Sequence, residues 1–373
     1  LKILFVTTVS NTINAFLVPH IKLLIEKGNE VDIACNVIGE VKKELIDLGC
    51  DIHNIKFQRS ALNKNNYIAY KKLKKLVISE EYDLVHTHTP IASFLTRLAC
   101  RNINNIKIMY TAHGFHFYKG APLKNWIVYY TIEKIVAKWT DSIITINTED
   151  YEHALKLKMG HSSQVYKVPG MGVDIERFSN VDRNFCLSRK DFGFLEEDFI
   201  LVYVAELNSN KNQLMIIEAV RQLKDQGKTV KAILIGSGPK EVEYKKTIKE
   251  YGLEKEIILT GKRMDIEKIL PICDVAIPTS KREGFGINLV ESMASGLPVI
   301  ASRNRGHKEI VVHGENGYLF ELGNLNEMIN YISQLYENRL LLRKMSNSAR
   351  ESVNKFSLQN SVKEITKTYK NYF

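Results

Sequence analysis

Apolar residues follow two alternating rhythms along this chain. Short, nearly unbroken apolar runs at Ile3–Thr7, Val31–Cys35, Leu84–His88, Ile108–Thr111 and Ser142–Ile146 read as buried strands. Longer stretches with helical spacing separate them, notably Phe16–Lys27, Tyr67–Ser79 and Pro90–Arg101. Strict alternation of this kind predicts an α/β, doubly wound parallel sheet, whose ligands bind beyond the carboxyl ends of the strands. Thr7–Asn11, His86, His88 and His113 fall at such ends. The Pro/Gly-punctuated stretch Val165–Phe178 reads as a linker, after which a second series opens with Phe199–Ala205 and Val230–Ile235. Gly236-Ser237-Gly238-Pro239 then pairs glycines that permit close backbone approach with a proline suited to a first helical turn. Helical patterns at Leu325–Glu337, Arg339–Lys355 and Leu358–Tyr372 close the chain.

Within the second series, KREGFGINLVESMASGLPVIA (Lys281–Ala301) joins a charged turn, a Gly-Phe-Gly loop, a helix from Ile287 and a buried strand from Pro298. A helix N-terminus behind Gly284-Phe285-Gly286 offers unpaired N–H groups and a positive dipole end, a seat for an anion. Glu283 precedes this helix and Glu291 lies inside it, both placed to accept hydrogen bonds from sugar hydroxyls. Spacing alone also permits a plain βα turn with two solvated glutamates.

Composition narrows the class. A chain of 373 residues suits two domains, and 45% hydrophobic with 25% charged residues fits a water-soluble globular protein. Five scattered cysteines without a CxxC pair suggest a reducing compartment. No apolar run approaches the ~20 residues of a membrane-spanning helix, and LKILFVTTVS reads as a first strand, not a signal peptide. The net charge of +10 is uneven: His53–Lys138 holds 14 Lys and Arg against 4 Asp and Glu. That excess suggests a polyanionic partner, either nucleic acid or an anionic membrane, unless the lysines are merely solvated. Lys71, Lys74 and Lys75 share one helical arc, and Lys124, Lys134 and Lys138 another with Trp126, Tyr129, Tyr130 and Trp139 nearby. These arcs suit a membrane interface, with Lys71, Lys75, Lys124, Lys134 and Lys138 facing the lipid; the aromatics equally suit a core.

E-G-F-G-x-N-x-V-E (Glu283–Glu291), with DVAIPTS before it and SGLPVIAS and NGYLF after it, resembles the E-x7-E signature of the retaining glycosyltransferases of family 4. The resemblance extends over nearly the whole chain and is weakest in the first 110 residues. It implies the GT-B fold: two Rossmann-like doubly wound domains facing a central cleft. The expected division is 1-175 as the acceptor- and membrane-facing domain and 176-356 as the nucleotide-sugar-binding domain, with a helix at 357-373 crossing back onto the first. By resemblance, His113 and Glu283 are catalytic. Lys211, Gly236, Arg263, Glu283, Gly284, Phe285, Gly286 and Glu291 bind the nucleotide sugar, with Arg263 at the base and Glu291 at the ribose. Ser10 and Asn11, where the family usually has two glycines, lie on the acceptor side. The family's diphosphate-clamping arginine is absent, since Ala205-Glu206-Leu207 stands in its place; Lys281 or Arg282 are candidates to replace it.

No DxD motif occurs, so no metal or other cofactor is expected. A zinc cluster of His86, His88, His113 and His116 is the metal-binding alternative. The nearest resemblance is to bacterial capsule and exopolysaccharide transferases. It implies a UDP-sugar donor, with N-acetylfucosamine one candidate, and an undecaprenyl-diphosphate-linked acceptor. The expected location is the cytoplasm, peripherally on the inner face of the membrane. Rivals are a UDP-sugar 2-epimerase, a transferase to a small soluble acceptor, and a basic nucleic-acid-binding protein, for which no recognition motif is present.

Overall fold

The computed structural model describes residues 1–60, 63–160, 163–370 and 372. The chain forms two compact units: Leu1–Gly172 with Leu358–Phe373, and Val173–Ser357.

Seven strands make the sheet of the first unit: β1 (Lys2–Val9), β2 (Glu30–Asn36), β3 (Ile52–Asn54), β4 (Leu84–His88), β5 (Lys107–Ala112), β6 (Ser142–Thr145) and β7 (Gln164–Lys167). All pair parallel, in the order β3-β2-β1-β4-β5-β6-β7. The order reverses between β1 and β4, and that switch point is where a crevice opens above a doubly wound sheet. The central strands are buried and mostly apolar because helices cover both faces, with polar residues such as Thr7, His86, His88 and Thr111 toward their carboxyl ends. Edge strands β3 and β7 are polar and half-exposed, so they lack the apolar signature. β7 occupies part of the stretch expected to be linker; the change of unit falls at Gly172–Val173.

Two helices in this unit contain π-helical turns, Ile13–Leu17 and Trp126–Tyr130, that periodicity did not predict. The first ends two residues before Pro19, which has no N–H to continue the ladder. The C-terminal helix Leu358–Tyr369 packs into this unit. Its Ser361 hydroxyl donates to Pro169 O at 3.3 Å. Gly172, at φ +88°, is required there: a Cβ would lie 2.8 Å from the Leu358 Cα.

The second unit holds six parallel strands: β8 (Phe199–Val204), β9 (Val230–Ile235), β10 (Ile257–Gly261), β11 (Val275–Ala276), β12 (Val299–Ser302) and β13 (Gly317–Phe320). Their order is β10-β9-β8-β11-β12-β13. Here the switch lies between β8 and β11, whose following loops carry Lys211 and Glu283. The core beneath is built from Phe199, Leu201, Ile217, Val220, Ile300 and Phe320.

Candidate active site

The second unit brings two loops together above its switch point. The Lys281 N–H donates to Asn210 O at 2.7 Å, and Asn210 Nδ2 donates to Arg282 O at 3.0 Å. Thr279 Oγ1 lies 2.8 Å from Lys211 O. These bonds hold the loop after β8 against the loop after β11, so Lys211 Nζ meets Glu283 Oε1 at 2.5 Å. The helix Ile287–Ala294 starts four residues beyond Glu283, with Gly286 as its cap at φ +119°. Phe285 is buried and packs edge-on against Phe356 at 5.3 Å, so its side chain belongs to the core and only its backbone could serve a ligand.

Glu291 sits half-buried in that helix; its backbone O accepts from the Ser295 N–H at 3.1 Å, while its carboxylate has no hydrogen-bond or ion-pair partner among the described residues. Burial raises its carboxyl to about 7; the nearby Arg177 cation opposes that shift and Glu267 adds to it. Arg177 donates to Glu267 Oε2 at 2.7 Å and to Met264 O at 3.0 Å. A carboxyl left without a donor beside a tethered guanidinium is ready to accept hydrogen bonds from a ligand's hydroxyls. Arg263 is engaged in a two-point pair with Asp265, 2.8 and 2.5 Å. Gly236 is needed for packing: a Cβ would fall 2.0 Å from Ala205 O. Glu206, in place of the expected arginine, is exposed and accepts from Asn208 Nδ2 at 2.9 Å, not from a cation.

Besides Arg177, two residues of this unit escaped sequence reasoning. Arg305 is buried, with Nε 3.3 Å from Glu283 O, which makes it a third cation beside this loop along with Lys211 and Arg282. His307 is buried with Nδ1 2.8 Å from Ser302 O, which must be accepting, so Nε2 carries the lone pair. That Nε2 has no partner, and burial holds the ring down to about 4. The one signal was RNRGH following β12, an unusual basic run at a strand end.

In the first unit, β4 and β5 end in a column of imidazoles. His88 Nδ1 lies 3.1 Å from His113 Nε2, and His86 Nε2 lies 2.7 Å from Thr111 Oγ1. His86 Nδ1 meets the Tyr369 hydroxyl of the C-terminal helix. Burial lowers His113 to about 4, so it is neutral at physiological pH and acts only through hydrogen bonds. The rings do not converge as zinc ligands: His116 faces Tyr129 at 4.7 Å, and among the described residues no group of three or more His, Cys, Asp or Glu could hold a metal ion. Ser10, expected on the acceptor side, is turned into the fold. It is buried and its hydroxyl donates to Gly39 O at 2.7 Å, leaving Asn11 as the exposed member of that pair.

A cavity of about 290 Å³ opens at the switch point of this unit, lined among others by Thr8, Thr12, Arg59, Thr89, His116 and Tyr129. Thr89 has φ 64° and ψ 143°, a region almost reserved for glycine, and its hydroxyl lies 2.6 Å from that of Thr8. Strain of this kind, roughly 1–3 kcal/mol, gathers at ligand sites. Lys71, Lys75, Lys124, Lys134 and Lys138 are all exposed, whereas Trp126, Tyr129 and Tyr130 pack onto the core around Phe117. No helix of the described residues is long and apolar enough to cross a membrane.

Two Rossmann-like parallel sheets, of seven and six strands, define the GT-B class of glycosyltransferases. The chain belongs to that enzyme family: residues 186–352 match the model for glycosyl transferases group 1, and residues 2–147 match glycosyl transferase 4-like. It is 40% identical over 376 residues to EpsD of Bacillus subtilis, a glycosyltransferase by name, covering all of this chain and 97% of that protein. The UDP-Gal:alpha-D-GlcNAc-diphosphoundecaprenol alpha-1,3-galactosyltransferase of Escherichia coli is 29% identical across 80% of this chain and 77% of its own length. In fold it resembles Anabaena HepE, solved with UDP-glucose, at TM-score 0.81 and 22% identity over 99% of each chain.

Proposed function

We propose that this glycosyltransferase moves a sugar from a UDP-sugar to an undecaprenyl-diphosphate-linked saccharide in capsule or exopolysaccharide assembly. The donor binds to the second unit with its diphosphate at the Gly284–Gly286 turn and its ribose at Glu291. The acceptor's saccharide binds in the cavity of the first unit, where threonine hydroxyls face an aromatic wall and Arg59 supplies a cation. An N-acetylated amino sugar such as N-acetylfucosamine is our candidate for the transferred group. The unbonded, half-buried carboxyl of Glu291 beside Arg177 carries this reading.

Chemistry follows from an exchange of partners. Lys211 leaves Glu283 for the donor diphosphate, as a point charge beside the helix start, and Glu283 is then free to accept hydrogen bonds from the sugar. Arg305 and Arg282 add positive potential, and no metal takes part. A helix end contributes only about 0.3–2 kcal/mol, whereas several preorganised donors in a dry site contribute about 3–4 kcal/mol each. The anomeric carbon's bond to the diphosphate breaks while the acceptor hydroxyl bonds on the same face, so configuration is retained. The hydroxyl proton passes to the departing phosphate oxygen. Neutral His113 positions the sugar.

The test begins with thermal shift against UDP-, GDP- and ADP-sugars, since a ligand of the native state raises the melting temperature. Transfer to undecaprenyl-diphosphate-linked acceptors follows, with and without EDTA, and NMR of the product anomer. Stabilisation by UDP-sugars and an EDTA-resistant product of retained configuration are expected. A changed UDP-sugar without any acceptor would assign an epimerase instead.

A further inference from the structure

We infer that the outward face of the helical segment Leu123–Val136 inserts into the surface of an anionic lipid bilayer, and that aliphatic side chains carry the insertion together with the lysines. This rests on the lipid-linked acceptor of the proposed function and names the surface that would meet the lipid. Three helical pieces run through the segment, Leu123–Asn125, Trp126–Tyr130 and Thr131–Val136. Its outward face carries Leu123, Ile127, Val128 and Ile135, exposed by 74%, 62%, 49% and 49%. Lys124 and Lys134 lie on the same face, and Lys138 follows in the next turn, all exposed.

The aromatic residues do not share this face. Trp126 and Tyr130 pack against Phe117 at 5.6 and 5.2 Å. The segment's one acid is also turned away. Glu133 is buried and takes two hydrogen bonds from Arg97, at 2.8 and 3.0 Å. Arg97 is itself fully buried, its guanidinium 4.4 Å from the centre of the Tyr110 ring. What remains outside is a stripe of aliphatics and cations with no carboxylate among them.

A helix bathed only in water gains nothing from four aliphatic side chains exposed along one face, and apolar patches rimmed by charge mark interaction surfaces. The charge selects the partner. Aliphatic groups flanked by lysines fit the boundary between acyl chains and anionic headgroups. A second copy of the chain is a poor fit, because a two-fold contact would set these lysines against themselves. The segment's inward side supports the same reading: Tyr129 lines the cavity at the switch point. Docking through the outer face would hold that cavity beside the headgroup layer, where a polyprenyl-linked saccharide resides.

The test is co-sedimentation of the full chain with phosphatidylcholine vesicles with and without phosphatidylglycerol. The wild type should bind only the anionic vesicles, less well at high salt. Leu123→Glu with Ile127→Glu should lower partitioning at least ~10-fold, and Lys124→Gln, Lys134→Gln and Lys138→Gln together by a similar factor. Thermal unfolding of both variants should match wild type, because these side chains face solvent. Transfer to a detergent-solubilised acceptor should persist in both. Undiminished vesicle binding in the glutamate variant overturns the inference, as does a wild type that ignores anionic vesicles. A dimer dissolved by the glutamate variant, without vesicle binding, would give the face to a second copy and also overturn it. Vesicle binding as described with no transfer by the wild type in detergent would remove the proposed acceptor and leave this inference standing.

Discussion

The two units share one architecture and treat buried charge in opposite ways. In the first, ionisable groups below the surface are locked or neutral. Arg97 and Glu133 satisfy each other in full, and the imidazoles of His86, His88 and His113 are held uncharged by burial. In the second, the Glu291 carboxylate is half-buried without a partner, and Lys211 and Glu283 hold each other where a ligand would separate them; an unpaired imidazole Nε2 occurs in both units, at His88 and at His307. The same βα repeat thus builds a scaffold with a cationic exterior in one case and an electrostatically unfinished site in the other. Structural pairs are complete, and sites for charged ligands leave hydrogen bonds unmade.

The sharpest way to break this contrast is Arg97→Ala. It strands Glu133 in the interior, and removing one partner of a buried pair costs about 3–5 kcal/mol. A large drop in the denaturant midpoint is expected, with UDP binding to the second unit retained where the protein stays folded. Next is Glu291→Ala, which removes a charged acceptor worth about 1.5–3 kcal/mol, or roughly 10- to 100-fold in UDP affinity by calorimetry. Melting temperature should hold or rise. An unaltered affinity would detach Glu291 from the ribose.

A smaller effect is the pH dependence of that site. The folded Glu291 carboxyl titrates at about 7, above its ordinary value of 4.5. Between those values the native state holds a proton that the unfolded chain has lost, so this group's contribution to stability falls as pH rises from 4.5 to 7. Ligand binding runs the other way, because the ionised carboxylate is the better acceptor. UDP affinity should therefore climb several-fold from pH 6 to pH 8, and Glu291→Gln should flatten both trends. Smallest is Lys71→Ala with Lys75→Ala in the first unit, expected to move stability by less than about 0.5 kcal/mol. A larger loss would mean those lysines are structural, contrary to their exposure.

Much of the fold was legible because its signal is local. Unbroken apolar runs gave the central strands to within a residue or two, and Gly-Phe-Gly before an apolar-periodic run placed the helix at Ile287. β3 and β7 were not legible, since edge strands exposed to water need no apolar run. Nor did periodicity foresee the π-helical turns, whose apolar spacing over five residues differs little from that of an α-helix. In the site, Glu283, Glu291 and Lys211 could be named in advance from motif order. Arg177 and Arg305 could not, because they lie about 106 and 22 residues from Glu283 and are gathered by the fold.

The sequence by itself determined two parallel α/β units, the helix start that offers N–H groups to an anion, and the basic excess of the first half. Only the tertiary structure decided which charges meet. It joined Lys211 to Glu283, left the Glu291 carboxyl unpaired, turned Ser10 and Glu133 inward and Ile127 outward. The physical reason is that strand and helix formation follow from nearest neighbours along the chain. Ionisation and exposure are set by groups brought close only when the sheets pack.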